Sequence, residues 1–310
     1  VIAVPRIPEV RDGQILSTNL VNHIIRRTEY AAGLLAEYKM IAGGSISLEQ
    51  QFDGTRVNAE LAEAAKFNIV GLAFVGGIIK GFLYNGSTFT DIIYPGSSDT
   101  RANGIDGSNI VGTVSIGGVL KGFLYNGLTF TDIIYPGKTS TQPDDIDGSN
   151  IVGIITLSGT ISSFFYNGSF TEIIYPGGSN TRARGIEGSN IVGDATVGGG
   201  TRGFLYNGST FTDIIYPSAT STQLFGIDAS NIVGVAGVGG VNKGFLYSGS
   251  TFIDIIYPGA TSTFVRGISG SNIVGTAVVG GVQRGFLYDG STFTDIIYPG
   301  ATSTAAEGIG

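Results

Sequence analysis

Few side chains in this chain suit covalent or acid–base chemistry, and those few are badly placed for it. Asp144 and Asp145 form a carboxylate pair. Glycoside hydrolysis needs two carboxyls facing one bond from opposite sides, and adjacent residues of one segment are a poor candidate for that. His23 is the sole histidine and there is no cysteine. That excludes a thiol nucleophile, thiolate metal sites and disulfides, and leaves a histidine-based triad or zinc site without enough ligands. The Asp-Gly-Ser-Asn segments lack the acidic density of a calcium loop. Asn-Gly-Ser at 85, 167 and 207 matches a glycosylation acceptor, but a hairpin turn explains every copy, including those that break the motif. The expectation is therefore no catalytic residues, no metal and no cofactor. Binding is left, and the residues best suited to it are Arg101, Asp144, Asp145, Arg182, Arg184, Phe225, Phe264 and Arg266.

Those eight share one property: they differ between copies of a unit that otherwise barely changes. Asn-Ile-Val-Gly begins at 68, 109, 150, 190, 231 and 272, a period of about 41 residues, and such periods belong to solenoids, propellers or arrays. An aromatic block follows in each copy (Gly81–Gly86 reads GFLYNG), then Asp-Ile-Ile-Tyr-Pro or Glu-Ile-Ile-Tyr-Pro from Asp91, Asp132, Glu172, Asp213, Asp254 and Asp295.

Each copy reads as four short strands. In the second they are a short A strand at Gly104-Ile105, B over 109–116, C over 121–125 and D over 129–136. Asn-Gly, Asp-Gly and Gly-Gly supply the positive φ that tight hairpins need, and the proline after the D-strand tyrosine ends its ladder. Four antiparallel strands repeated six times predict an all-β, six-bladed β-propeller over 68–310. A C-terminal strand at 305–309 would supply the A strand that the first copy lacks and latch the ring. Twelve of the 14 tyrosines fall in two equivalent sets, a pattern that predicts packing between blades rather than a ligand cage. The segments between D and A (96–103, 137–145, 177–184, 218–225, 259–266) are the ones that differ, so the eight candidate residues are expected on loops of one face. Lys80, Lys121, Arg202, Lys243 and Arg284 are expected as a partial basic ring nearby.

Composition restricts the partners. With 42% apolar and 10% aromatic residues the chain is too hydrophobic to be disordered despite its 51 glycines. A net charge of −7 with only 13% charged residues argues against nucleic acid, which needs a basic stripe. No apolar run is long enough to span a bilayer as a helix.

Residues 1–67 lack the repeat and read as a small α+β attachment module. After a proline-punctuated arm, Ser17 or Thr18 would cap a helix over 19–40, with Leu20, Ile24, Ala31, Leu34, Leu35 and Tyr38 on one apolar stripe. A hairpin over 45–57 would turn at Asp53-Gly54. A helix and a hairpin cannot bury a core alone, so the module is expected to attach or to oligomerise, and a homo-oligomer is expected.

The repeats resemble the HAF-type extracellular repeat, through GFLYNGSTFTDIIYPG and GIDGSN as they stand in residues 68–310. The segment VPRIPEVRDGQILSTNLVNHIIRRTEYAAGLLAEYK resembles N-terminal modules of structural proteins from tailed phages, particularly phages of cyanobacteria. That second resemblance implies a non-enzymatic virion protein, a tail fibre, appendage or capsid decoration. Its N-terminal module would dock to other virion proteins and its propeller would face a host-surface glycan or protein. The alternative is a secreted, extracellular bacterial lectin-like or adhesion propeller.

Overall fold

The computed structural model describes Phe67–Gly310 throughout and, before that, the backbone of Tyr38–Met40, Ile46–Phe52 and Thr55–Glu60. The chain divides into two units, Val1–Lys66 and Phe67–Gly310.

In the first unit β1 (Tyr38–Met40) pairs antiparallel with β2 (Ile46–Phe52), which pairs antiparallel with β3 (Thr55–Glu60). Tyr38 therefore opens a strand opposite Leu48 rather than closing a helix over 19–40. A β-prone aromatic with a cross-strand partner overrides helical spacing at that end. The stripe residues Leu20, Ile24, Ala31, Leu34 and Leu35 lie outside the described residues.

In the second unit all regular structure is strand. The first repeat gives β4 (Ile69–Val75), β5 (Ile78–Tyr84) and β6 (Phe89–Ile92), and the second β7 (Asp99–Asp106), β8 (Asn109–Ile116), β9 (Val119–Tyr125) and β10 (Phe130–Ile133). The third holds β11 (Ser140–Asp147), β12 (Asn150–Leu157), β13 (Thr160–Tyr166) and β14 (Phe170–Ile173). Then come β15 (Asn180–Glu187), β16 (Asn190–Val197), β17 (Gly200–Tyr206) and β18 (Phe211–Ile214). The fifth repeat contains β19 (Ser221–Asp228), β20 (Asn231–Val238), β21 (Val241–Ser248) and β22 (Thr251–Ile255). The last supplies β23 (Ser262–Ser269), β24 (Asn272–Val279), β25 (Val282–Tyr288) and β26 (Phe293–Ile296), and the chain ends in β27 (Ser303–Ile309).

Turn chemistry sets the hairpins. Between β8 and β9, Gly117 and Gly118 sit at φ 59° and 79°, where a side chain would be strained. Between β5 and β6 the Asn85 carboxamide accepts from the backbone N–H of Ser87 and of Thr88, at 3.1 and 2.9 Å, so that asparagine serves the turn.

Two strand lengths differ from the sequence reading. The D strands are short: in the second repeat the ladder stops at Ile133, and the Tyr135 N–H turns to Thr141 Oγ1 at 2.9 Å. The A strands are long. Residues 99–106, most of which read as loop, pair with β8 from Asp99↔Ser115 to Asp106↔Asn109. The ladder shifts between Ala102 and Gly104, leaving Asn103 as a bulge. That bulge explains the glycine of Asn-Ile-Val-Gly: a Cβ on Gly112 would lie 2.0 Å from the Arg101 carbonyl oxygen and 2.6 Å from the Phe123 ring.

Neighbouring repeats share their aromatic residues. Phe123, with no exposed surface, meets Phe130 edge-on at 5.3 Å and Tyr94 of the preceding repeat at 6.1 Å. Burying such a ring contributes roughly 1.5–3 kcal/mol, so the seams are held mainly by apolar packing. A polar contact fixes their alignment: the hydroxyl of Tyr94 donates to Asp132, Tyr175 to Asp213, Tyr216 to Asp254 and Tyr257 to Asp295, at 2.5–2.6 Å.

The ring closes. β27 pairs with β4 in the same bulged register, the Asn68 N–H donates to Gly310 O at 2.8 Å, and Gly310 N–H donates back at 3.0 Å. Tyr298 donates to Asp91 across the last seam. The six A strands touch in a cycle, β7 to β11, β15, β19, β23, β27 and back to β7. This is an all-β propeller. Its hydrogen-bonded sheets are not six separate blades: four are free-standing and four-stranded, while β15–β18 and β19–β22 join into one eight-stranded sheet. The junction is a single parallel bridge, Thr201↔Ser221.

Candidate functional site

At each bulge one residue per repeat leaves the ladder. These are Asn103, Asp144, Arg184, Phe225, Arg266 and, in the closing strand, Glu307. Six equivalent positions thus carry an amide, two acids, two arginines and an aromatic, within repeats that otherwise nearly match. Bulges re-aim side chains, and here all six residues line one cavity of about 250 Å³ on the ring axis.

The residue after the bulge is glycine in five repeats and Asp145 in the third. These glycines let the A strands converge: a Cβ on Gly104 would lie 2.7 Å from Asp145 Cα, and one on Gly308 would lie 2.7 Å from Asn103 O. Asp145 reaches instead to the next strand, where its Oδ2 accepts from the Ile186 N–H at 3.0 Å.

The cavity opens beside the turns that join A to B strands. Its rim carries Asp106, Asp147, Glu187, Asp228, Ser269 and Gly310. Asp106 and Asp147 accept from the Gly148 and Gly188 N–H groups of the following repeat, at 2.7 and 2.6 Å, and Asp228 accepts from Gly270 N–H.

Opposite charges are segregated round the wall. On one side Phe225 lies between two arginines, with the Arg184 and Arg266 Cζ atoms 4.7 and 4.2 Å from its ring centroid. Arg184 Nε donates to Asp194 Oδ1 at 2.7 Å, Arg182 Nη1 donates to Asp194 Oδ2 at 3.3 Å, and Asp194 has no exposed surface. Arg266 Nε faces Glu307 Oε2 at 3.5 Å. On the other side stand Asn103, which donates to the Pro143 carbonyl at 2.7 Å, and Asp144, whose Oδ2 is shut from solvent with no hydrogen-bond partner among the described residues.

Burial pushes the Asp144 carboxyl up to about 7, with Glu307 and Asp194 adding to the rise while Arg184 and Arg266 pull it back. Burial also lifts Asp145 to about 7 against the two backbone N–H groups that hold its charged form. For Arg184, burial works against the charge, but Asp194 and Asp144 outweigh it and the guanidinium is raised.

The eight residues expected on loops of one face stand on A strands instead. Asp144, Asp145, Arg184, Phe225 and Arg266 line the cavity together. Arg101, Arg182 and Phe264 sit two positions earlier on their strands: Arg101 is exposed, Arg182 holds Asp194, and Phe264 lies 5.9 Å from the Arg266 guanidinium. The cavity opens on the face of the uniform A-to-B turns, opposite to the face of the D-to-A segments. The reason is strand length, since the variable segments are ladder residues that descend toward the axis.

Four of the five residues expected as a basic ring, all but Lys121, are paired elsewhere. Lys80, Arg202, Lys243 and Arg284 pair with Asp91, Asp213, Asp254 and Asp295 of their own repeats at 3.1–3.8 Å.

Three contributors escaped the sequence reading: Asn103, Glu307 and Asp194. Aligning the copies on the Gly-Ile or Asp-Ile that follows each bulge would have found the first two. The residue after Asn-Ile-Val-Gly is Leu72, Thr113, Ile154, Asp194, Val235 or Thr276, and one acid in that series was the signal for the third.

No protein-family model and no curated protein matches the chain, so neither the HAF-type resemblance nor the phage resemblance gains support from them. Solved structures that resemble it are propeller proteins at low identity. The β-propeller domain of the Trilobed protease from Pyrococcus furiosus, which has an open velcro topology, is 11% identical with a TM-score of 0.49 over 83% of this chain and 88% of that one. A chain of the nidogen/laminin complex is 14% identical with a TM-score of 0.49, over 78% and 97%. Pyrococcus horikoshii acylaminoacyl peptidase is 11% identical with a TM-score of 0.47 over 82% of this chain, which spans about half (48%) of the peptidase.

Proposed function

We propose that the propeller is a non-enzymatic recognition module whose axial cavity binds a ligand displayed on a surface. One observation carries this reading: the differences between near-identical repeats fall at the bulge positions, and these six positions face one cavity. A scaffold under no demand but stability has no reason to place an amide, acids, arginines and a phenyl ring there. Asp145 is tied to a backbone N–H and Asp194 to two arginines, an arrangement suited to holding polar groups still. On this reading the eight-stranded sheet is two blades touching at one bridge, and the ring has six blades.

The setting follows from the N-terminal resemblance. Residues 1–67 dock the protein to a phage particle, as part of a tail fibre, appendage or capsid decoration, and the propeller engages a host-surface glycan or protein. A secreted bacterial adhesion propeller is the second reading, favoured by the HAF-type resemblance of the repeats. The test is binding of the full chain to intact host cells, compared with a Phe225→Leu, Arg266→Gln variant of unchanged melting temperature. Loss of cell binding supports the cavity as the recognition site, and undiminished binding overturns it. Recovery of the chain in purified particles rather than free in the medium separates the virion setting from the secreted one.

A further inference from the structure

Resting on the recognition reading above, the cavity chemistry narrows the ligand class. Arg184 and Arg266 come from the strands before and after the one that bears Phe225. Arg184 is held through Nε by a hydrogen bond to Asp194, whereas Arg266 Nε only faces Glu307 as an ion pair at 3.5 Å. Among the described residues, neither arginine donates a hydrogen bond from Nη1 or Nη2, so both forks remain unspent beside the same phenyl ring.

Holding them there is costly. Asp194 is a fully buried carboxylate, which a fold tolerates only when it is paired and hydrogen-bonded. It occurs in the one repeat that also supplies Arg182 and Arg184; the equivalent positions elsewhere are apolar or carry a hydroxyl. Arginine recurs at both positions in other copies, as Arg101 and Arg266, but the buried carboxylate that holds two of them is found in this copy alone, and it makes a built anchor for guanidinium groups. A planar fork with free N–H pairs matches a carboxylate in two-point geometry.

The remaining walls specify what the carboxylate is attached to. Phe225 offers an apolar face for a ring's C–H surface. Asn103, Asp144 and Glu307 bring acceptor oxygens to the same cavity, and these suit hydroxyl donors. The rim acids Asp106, Asp147, Glu187 and Asp228 oppose a multiply charged anion such as phosphate. A cavity of about 250 Å³ has room for one small ring.

We infer that the axial cavity binds a single carboxylated sugar ring, a terminal uronic acid, with its carboxylate on Arg184 and Arg266, its apolar face on Phe225 and its hydroxyls on the acidic wall.

The test is calorimetric titration of the full chain with methyl glucuronide and methyl galacturonide, beside methyl glucoside and inorganic phosphate. The expected result is saturable binding of at least one uronide, with the glucoside at least tenfold weaker and phosphate unable to compete at equal concentration. Arg266→Gln and Phe225→Leu should each weaken uronide binding about tenfold or more without moving the melting temperature. Absence of saturable uronide binding, a glucoside that binds as tightly, or a phosphate that binds more tightly overturns the carboxylated sugar. A neutral ligand or phosphate whose binding these substitutions abolish overturns the sugar acid but keeps the cavity as the recognition site. Ligand binding indifferent to both substitutions overturns the two together.

Discussion

Asp194 has no exposed surface and holds Arg182 and Arg184 at once. Replacing it alone by valine, the residue of the fifth repeat, strands two partly buried guanidinium groups and should cost roughly 2–4 kcal/mol. Replacing all three by the fifth repeat's set (Arg182→Gln, Arg184→Phe, Asp194→Val) removes the charges with their counter-charge and should recover most of that loss in urea denaturation. A triple variant no more stable than the single one would mean that the cost lies in packing. Asp144 gives a pH signature. Its folded pKa is raised to about 7, against roughly 4 in an unfolded chain. Between those values the folded state binds more protons, so this group's stabilising effect is complete below about pH 4. It is lost as pH rises toward 7 and stays lost above. Asp144→Asn should therefore raise the melting temperature at pH 8 and change it little at pH 4; an equal shift at both would refute the assignment.

The bulged A strand places every cavity residue, and it depends on a glycine in the strand beside it. A Cβ on Gly193 would stand 1.9 Å from the Arg182 carbonyl oxygen, so Gly193→Ala should cost about 3 kcal/mol through overpacking. Thermal melting reads the loss, and an unchanged midpoint would show that the bulge can relax. The B and C strands were legible in the sequence because their apolar runs and Gly-Gly or Asn-Gly punctuation repeat in every copy. The A strands were not. Residues such as Asp99-Thr100-Arg101-Ala102-Asn103 have loop-like composition, since alternate positions face the axis rather than the interior, and the bulge breaks the alternation that marks a strand. The site residues were found by their variability, but strand length decided where they stand, and composition does not record it. In the first unit, pairing with Leu48 defeated the helical spacing at Tyr38.

Closure gives the last seam the same contact as four others; only where Glu172 replaces the aspartate is it missing, that carboxylate being taken by Ser162 and Lys138. The Tyr298–Asp91 contact joins the last repeat to the first just as Tyr175–Asp213 joins two neighbours. Burial and the bonded aspartate lift the Tyr298 hydroxyl to about 12, the hydrogen bond to Asp91 being the larger cause. Tyr298→Phe and Tyr175→Phe should each cost about 1 kcal/mol; a much smaller effect at Tyr298 would indicate a loose final seam. Deleting 303–310 removes the partner of β4 and should abolish cooperative melting of the ring, whereas an intact transition would contradict the latch. The same uniformity bears on how such a protein changes over generations. Because most copies present nearly the same flanks to their neighbours, exchange within the coding tract can swap or reorder whole copies while most joints stay matched. Each such event installs a different side chain at one compass point of the axis, so a new specificity can arise by shuffling rather than by point substitution.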